Sequence, residues 1–219
     1  MHGFIQLRTV VFIVVAGLGL RWYLMPPAYH APVQAGGGKT AALADCPLPP
    51  KVDSGEEPLQ SAVPQGMKPF AFQIGTLEPL HGFSVQARVL SKTNYSADKE
   101  ARLSPVDLAL GWQRMSDQAV LSQLKISQSS RWYHYRWENE PPLPPAEIIR
   151  SSANMHLIPA SASVAKTLER IDKGDQIRID GWLVEAALPN GWRWRSSTTR
   201  EDSGASACEL VYVCAVTKL

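Results

Sequence analysis

An apolar segment at the N terminus most constrains how this chain folds, because it separates a membrane-seeking stretch from the rest. Residues 1–25 contain two charged side chains, Arg8 and Arg21, and both can extend toward lipid headgroups. The length matches the roughly 20 residues that a membrane-spanning helix needs. Trp22 and Tyr23 lie where interfacial aromatic residues belong. We predict an uncleaved single-pass transmembrane helix over residues 1–25, which makes the lipid bilayer a predicted partner.

Residues 26–68 have the composition of a flexible tether. They are rich in Pro, Gly, Ala and Ser and have no sustained apolar period. Such a segment buries too little apolar surface to offset the entropy lost on ordering. The sequence therefore predicts a spacer over 26–68 and a globular domain over 69–219.

The cysteines leave two interpretations open. Cys208 and Cys214 lie six residues apart in one predicted strand, and six strand steps span roughly 20 Å, beyond the reach of a disulfide. Cys46 can reach either of them, which would leave one thiol over. The other interpretation is three reduced cysteines, with the two in the strand acting as small buried apolar residues.

The globular part reads as a series of short strands. "FAFQI" and "GFSVQARVL" alternate between apolar and polar residues at the period of half-buried strands, and we expect them to be neighbours. "LSPVDLALGW" differs, because Ser104 followed by Pro105 is typical of a helix start. We predict a short helix there and assign Asp107 to its first turn, where the helix dipole explains an acidic residue.

The segment "RWYHYRW", residues 131–137, is predicted to be a strand with two occupied faces. Alternation places three aromatic rings with Arg131 on one face, and Trp132, His134 and Arg136 on the other. Packing of the rings with stacked guanidinium groups is the favoured interpretation. A surface for single-stranded nucleic acid or a carbohydrate-like ligand is the alternative.

The remaining segments complete a mainly β fold. "SVAKTLERI" has a helical spacing with Ser163 as cap, "GDQIRIDGWLVEA" and "ACELVYVCAV" read as strands, and Gly191 supplies the turn of a hairpin. We predict an α+β, mainly β domain: a small, strongly curved mixed-β barrel of OB-like type, with peripheral short helices and one preceding transmembrane helix.

Several of these segments resemble those of an uncharacterised group of small bacterial membrane-anchored proteins. The segments are "LSPVDLALGW", "SSANMHLIPA", "GDQIRIDGWLVE" and "ACELVYV", within roughly residues 70–215. The resemblance implies a bacterial origin and a membrane-linked body, and it transfers no catalytic residue. We expect a single-pass protein of the bacterial inner membrane with a periplasmic C-terminal domain.

The chain carries no sequence motif of the common reaction classes. The chain has no HExxH, CxxC, Walker, dinucleotide or GxSxG motif, so we predict no metal and no cofactor. A catalytic triad of Ser152, His156 and Asp107 can be sketched without such a motif. The formal net charge of +2 makes nucleic acid an unlikely partner.

A polar constellation offers the better hypothesis. "RSSTTRED", residues 195–202, places two arginines around four hydroxyls, a set able to bind phosphate, sulfate or carboxylate. We predict a membrane-tethered binding or scaffolding module of the envelope with an envelope protein as partner. The alternatives are an envelope hydrolase using Ser152 and His156, or an anion- or nucleic-acid-binding OB-like domain. The predicted ligand contacts are Arg131, Trp132, Arg195, Ser197, Thr199 and Arg200.

Overall fold

The computed structural model describes residues 46–199 and 207–219 of the chain. The predicted transmembrane helix over 1–25 and the first part of the predicted tether lie outside these residues. In the described part, no helix is long and apolar enough to cross a bilayer.

The strands are β1 Leu59–Ser61, β2 Phe70–Phe72, β3 Gly75–Asn94, β4 Val106–Gly111, β5 Lys125–Ser129, β6 Trp132–Arg136, β7 Ser152–Pro159, β8 Gln176–Ala187, β9 Arg193–Arg195 and β10 Glu209–Lys218. The helices are α1 Gln118–Leu121, α2 Pro145–Arg150 and α3 Ala162–Glu169, with 3-10 turns at Lys99–Arg102 and Gln113–Ser116.

Five strands close into a ring. The hydrogen-bonded order is β3-β4-β7-β10-β8, and β8 pairs back onto β3. All of these pairs are antiparallel except β7 with β10, which is parallel. Strands β1, β2 and β9 extend the sheet at its margins. The prediction of a β-rich domain with short peripheral helices is confirmed.

Alternating apolar residues of the five strands fill the ring. The inward side chains include Val85, Leu108, Met155, Ile179 and Val211, each at most 1% exposed. A strand places successive side chains on opposite faces, so the residues between them point outward. This alternation is the period that the sequence displayed, and it decides which polar residues face away from the core.

Residues 104–111 differ from the predicted helix. We expected a helix starting at Pro105 with Ser104 as its cap, but Val106–Gly111 is strand β4 and is buried throughout. The helix prediction is wrong because the Ser-Pro signal is local. Burial of Leu108 and Leu110 in the ring core stabilises the extended form instead.

Helix α3 packs on the ring where the sequence predicted a helix. Its N-cap is Ser161, whose hydroxyl accepts from the backbone N–H of Val164, and not Ser163 as we expected. Lys92 from β3 donates to the carbonyl oxygens of Leu168, Glu169 and Ile171 and so caps the C-terminal end. A cation at this end of a helix also complements the helix dipole.

The segment "RWYHYRW" contains strand β6, which is the second strand of a hairpin outside the ring. Strand β6 pairs antiparallel with β5. The side chains of Tyr133, Tyr135 and Trp137 pack against a second buried cluster that includes Met115, Leu143 and Ile148. Burial raises the pKa of the Tyr133 hydroxyl well above its ordinary value of 10.0. One face of the hairpin is therefore used for packing, as the favoured interpretation stated.

Residues 46–68 differ from the predicted tether because they pack on the ring. Strand β1 pairs with β3, Val52 is buried, and its N–H donates to Ser84 Oγ at 2.9 Å. Trp182 Nε1 donates to the carbonyl oxygen of Pro47. The composition of the segment does not indicate this packing, because the residues that it contacts are far away in the sequence.

A disulfide joins Cys46 to Cys214, across 168 residues of sequence. This is one of the two pairings that the sequence left open. Cys208 directly precedes β10 and is partly buried. The bond ties the first described residue to a strand of the ring.

We expect Cys46→Ser and Cys214→Ser each to lower the free energy of unfolding by about 2–4 kcal/mol, because the cross-link restricts the unfolded chain. Urea unfolding under oxidising conditions measures this. Cys208→Ser is the matched control and should have a smaller effect. Reductant should destabilise the wild type and leave Cys46→Ser unchanged; a wild type insensitive to reductant would contradict the bond.

We expect the protein to lose stability at alkaline pH partly through Tyr133. Its pKa is raised in the folded state, so its contribution is complete below about pH 10 and falls as the unfolded hydroxyl ionises above that pH. Unfolding free energies measured across this range should fall less steeply for Tyr133→Phe. Tyr135→Phe is the control and should change the slope less, since Tyr135 is more exposed. Equal slopes for wild type and Tyr133→Phe would refute the assignment.

Candidate functional site

Three polar side chains are buried on the outer face of β4 and β7. Asp107, Asn154 and His156 alternate with inward residues of the ring core, and Asp107 pairs in register with His156. Asp107 is fully buried, and Asn154 and His156 are 4% and 3% exposed. A buried carboxylate costs free energy unless it is paired, so this face requires a counter-charge.

Arg131 supplies that charge from the tip of the β5–β6 hairpin. Its Nη1 donates to Asp107 Oδ1 at 3.1 Å, while Nε and Nη2 donate to the two carboxylate oxygens of Asp98 at 3.0 and 2.8 Å. Nη2 also donates to the carbonyl oxygen of Ser104. Paired hydrogen bonds between arginine and a carboxylate fix direction as well as charge. Arg131 therefore joins the hairpin, the loop before β4 and the ring.

The backbone at this tip is strained. Ser130 and Arg131 both have positive φ angles, 49° and 64°, as a two-residue hairpin turn requires. Such turns favour Asn-Gly, and non-glycine residues in this region cost free energy. The backbone N–H of Arg131 donates to Tyr95 Oη at 3.0 Å, and Asn154 Nδ2 donates to its carbonyl oxygen. These contacts hold the strained turn in place.

His156 lies between the carboxylate and an aromatic ring. Its Nδ1 is 2.9 Å from Asp107 Oδ2, although the contact lacks the alignment of a hydrogen bond. The two atoms thus form a close polar contact. The ring of Trp194 covers the imidazole with centroids 4.6 Å apart. His156 and Asp107 resemble the base and orienting group of a hydrolase, but His156 is nearly sealed from solvent.

The predicted triad is not assembled. Ser152 lies four residues before His156 in the same strand, a distance of about 13 Å along it. Its hydroxyl donates to the carbonyl oxygen of Ile148 at 2.7 Å and accepts from the hydroxyl of Tyr133 at 3.4 Å. Asp107 does meet His156, but from a strand and not from the first turn of a helix.

An exposed aromatic and cationic surface borders the buried cluster. Trp192 and Trp194 make an edge-to-face contact at 5.8 Å, and Lys99 Nζ lies 5.9 Å from the ring centroid of Trp192. Arg131 lies 5.5 Å from the ring of Trp194. Both tryptophans are partly exposed. We call Lys99, Trp192 and Trp194 the tryptophan surface.

The other predicted contacts are dispersed. Trp132 is 39% exposed on the hairpin. Arg195 points to the opposite side of β9 from Trp194 and donates to Glu185 Oε2 at 2.5 Å. Ser197 is buried in the irregular segment after β9, where its Oγ donates to the carbonyl oxygen of Thr199, and Thr199 itself is exposed. Arg200 lies outside the described residues. Of the predicted set, Arg131 belongs to the site.

Glu185 explains the position of the β9 arginines. Hydrogen bonds from Arg195 and then from Arg193 lower the pKa of its carboxyl group. The positive charges of this strand therefore face an acidic partner within the fold. The anion site that "RSSTTRED" suggested is not what the described part of this segment forms.

Sequence reasoning missed the tryptophan surface and its supports. Trp192 and Trp194 are two residues apart, so the alternation of a strand places them on one face, and that spacing could have identified the surface. Tyr95 and Asp98 carry no comparable signal, because both reach the site from a loop. Among residues 46–199 and 207–219, no group of three His, Cys, Asp or Glu side chains could hold a metal ion.

Comparisons with protein-family models, with curated proteins and with solved structures find no match to this chain. The candidate site therefore stands on its own geometry.

We expect Arg131→Gln to lower the free energy of unfolding by about 3–5 kcal/mol, since it leaves the buried Asp107 without its counter-charge. Arg195→Gln is the matched control, and its loss should be below about 1 kcal/mol because the Arg195 side chain is largely exposed and Arg193 still neutralises the buried carboxylate of Glu185. The side chain of Arg131 is 12% exposed and that of Arg195 is 60% exposed. Denaturant unfolding measures the free energy of unfolding of both variants. A loss for Arg131→Gln no larger than that for Arg195→Gln would show that the counter-charge to Asp107 does not stabilise the fold.

Proposed function

We propose that the protein is a membrane-tethered binding module of the bacterial envelope, built on an OB-like barrel. Numbered in chain order, the ring strands β3, β4, β7, β8 and β10 have the neighbour order 1-2-3-5-4-1. This closed five-stranded order supports the OB-like Greek-key proposal, as does the place of α3 between the third and fourth strands.

The position of the tryptophan surface is the observation that carries the proposal. OB-folds bind ligands on the face of their second and third strands, between the loops that join strands one to two and four to five. Here those strands are β4 and β7. Tyr95, Asp98 and Lys99 come from the first loop, and Trp192 lies in the second. Partly exposed rings beside a cation, next to a buried ion network, suit recognition of a partner.

Binding is favoured over hydrolysis by the surroundings of His156. The imidazole is covered by Trp194, and His156 is 3% exposed. Ser152 lies four residues from His156 along β7, and its hydroxyl donates to the carbonyl oxygen of Ile148. A nucleophile within hydrogen-bonding reach of the base is what a hydrolase needs. The proposal accordingly assigns His156 and Asp107 to support of the surface.

The disulfide supports the envelope location. Disulfides form and persist in oxidising compartments such as the bacterial periplasm. The Cys46–Cys214 bond therefore agrees with a body outside the cytoplasm, attached through the apolar residues 1–25. The resemblance to bacterial membrane-anchored proteins points the same way.

We expect Trp192→Ala/Trp194→Ala to abolish recovery of the protein partner after crosslinking in membranes. Removal of central aromatic contacts commonly weakens an interface by about 2 kcal/mol or more. Quantitative pull-down measures the recovered partner, and a thermal melt checks that the variant is folded.

The matched control is Arg193→Ala/Arg195→Ala, which changes the opposite side of β9 and should keep the partner. A thermal melt checks its fold as well, because both substitutions together leave the buried Glu185 carboxylate without its arginines. Loss with the arginine pair and retention with the tryptophan pair would move the interface to the Glu185 side. A folded His156→Gln variant that keeps its partner and loses its cellular function would favour the hydrolase.

A further inference from the structure

The β5–β6 hairpin has an outer face that the tryptophan surface does not use. Lys125, Ser127 and Ser129 of β5 are exposed, as are Trp132, His134 and Arg136 of β6. They form three cross-strand pairs on one face: Lys125 with Arg136, Ser127 with His134, and Ser129 with Trp132. The opposite face packs on the domain through Tyr133 and Tyr135. The outer face is thus a solvent-facing strip.

The charge arrangement on this strip is unfavourable for the hairpin alone. Lys125 and Arg136 lie directly opposite each other, and like charges in such a pair repel. Glu138 pairs with Lys125, but both side chains are largely exposed, at 71% and 57%. Arg136 has no ion pair within residues 46–199 and 207–219. An anionic partner would relieve the repulsion.

The strip also has a shape that can receive an anionic group. An open concavity of about 290 Å³ is lined by Lys125, Ser127, His134 and Arg136, together with Ile126 and Tyr135. The cations and the Ser127 hydroxyl offer hydrogen-bond donors to phosphate oxygens, and Nε2 of His134 is 3.2 Å from Ser129 Oγ. Trp132 stands on the same face at 39% exposure, and it is the one aromatic side chain among the exposed large apolar residues of the described part, the others being Leu48, Leu59, Ile149 and Leu219.

We propose that this hairpin face docks on the phosphate headgroups of an anionic bilayer. Tryptophan beside lysine and arginine is the composition of a membrane interface, where the ring sits at headgroup level and the cations meet acidic lipid. The proposal rests on the membrane attachment proposed above. The 20 residues 26–45 separate the predicted anchor from Cys46 and span at most about 70 Å, so the face stays within reach of the bilayer.

Docking would orient the tryptophan surface. Arg131, at the tip of the same hairpin, bonds to Asp98 and Asp107 of the site. A hairpin held on the bilayer therefore fixes the direction in which Lys99, Trp192 and Trp194 face. The partner would then approach at a set height above the membrane.

The test uses the full-length protein in vesicles of phosphatidylcholine alone or of equal parts phosphatidylcholine and phosphatidylglycerol, each with brominated acyl chains. Bromine quenches tryptophan on contact, and the difference between wild type and Trp132→Phe isolates one tryptophan among the seven. We expect Trp132-dependent quenching in the anionic vesicles. It should fall at least about twofold in phosphatidylcholine, and also at high salt, because salt screens exposed charges.

Charge variants decide whether the hairpin itself is responsible. Lys125→Gln/Arg136→Gln should remove the quenching, whereas Lys51→Gln/Lys68→Gln, an equal charge change at two exposed lysines, should retain it. Flotation with phosphatidylcholine vesicles tests the membrane anchor separately, because these vesicles lack the anionic headgroups that the hairpin face would bind. If the protein floats only with anionic vesicles, docking of the hairpin is supported and the proposed membrane anchor is contradicted. Flotation with both, without Trp132-dependent quenching, would overturn docking and leave the anchor standing.

Discussion

Strand β3 is the constraint on which the rest of the fold depends. Over Gly75–Asn94 it pairs with β8 along its first part and with β4 along its last part, so one strand closes the ring. Register shifts between Pro79 and His81 and between Val89 and Ser91 let it bend while it keeps both partners. Closure leaves no open edge among the five ring strands. The ring also needs close backbone approach, since a Cβ on Gly181 would lie 2.1 Å from the carbonyl oxygen of Tyr212.

Arg131 performs a comparable task for the site. Asp107 is fully buried on the outer face of β4, and a buried carboxylate is tolerated when ion pairs and hydrogen bonds replace water. Arg131 meets that need only if the hairpin tip adopts two positive φ angles, and this strain is offset by its contacts to Tyr95 and Asn154. The buried charge and the strained turn thus depend on each other. This mutual dependence gives the tryptophan surface a rigid base.

Prediction from the sequence succeeded where a pattern repeats and failed where a single local signal competed with packing. Strands β2, β3 and β8 follow apolar alternation, and α3 follows a helical spacing; both periods are properties of the chain itself. The Ser104-Pro105 signal misled because its small local preference is outweighed when β4 buries its apolar residues between β3 and β7. The boundary at residue 69 misled because the segment before it is stabilised by Ser84, Trp182 and Cys214.

The sequence by itself determined the β-rich character of the domain, the inward and outward alternation along its strands and the pairing of Trp192 with Trp194 on one face, because these depend on residues close together in the chain. It also carried two of the three members of the buried cluster as candidates, Asp107 and His156, without their arrangement. Only the tertiary structure decided which cysteine Cys46 joins, that Arg131 neutralises Asp107, and that the β9 arginines face Glu185. The physical reason is that ion pairs and disulfides act across space, and the side chains that form them lie 24 and 168 residues apart in two of these cases. Their energies depend on burial, which exists only after the ring has closed.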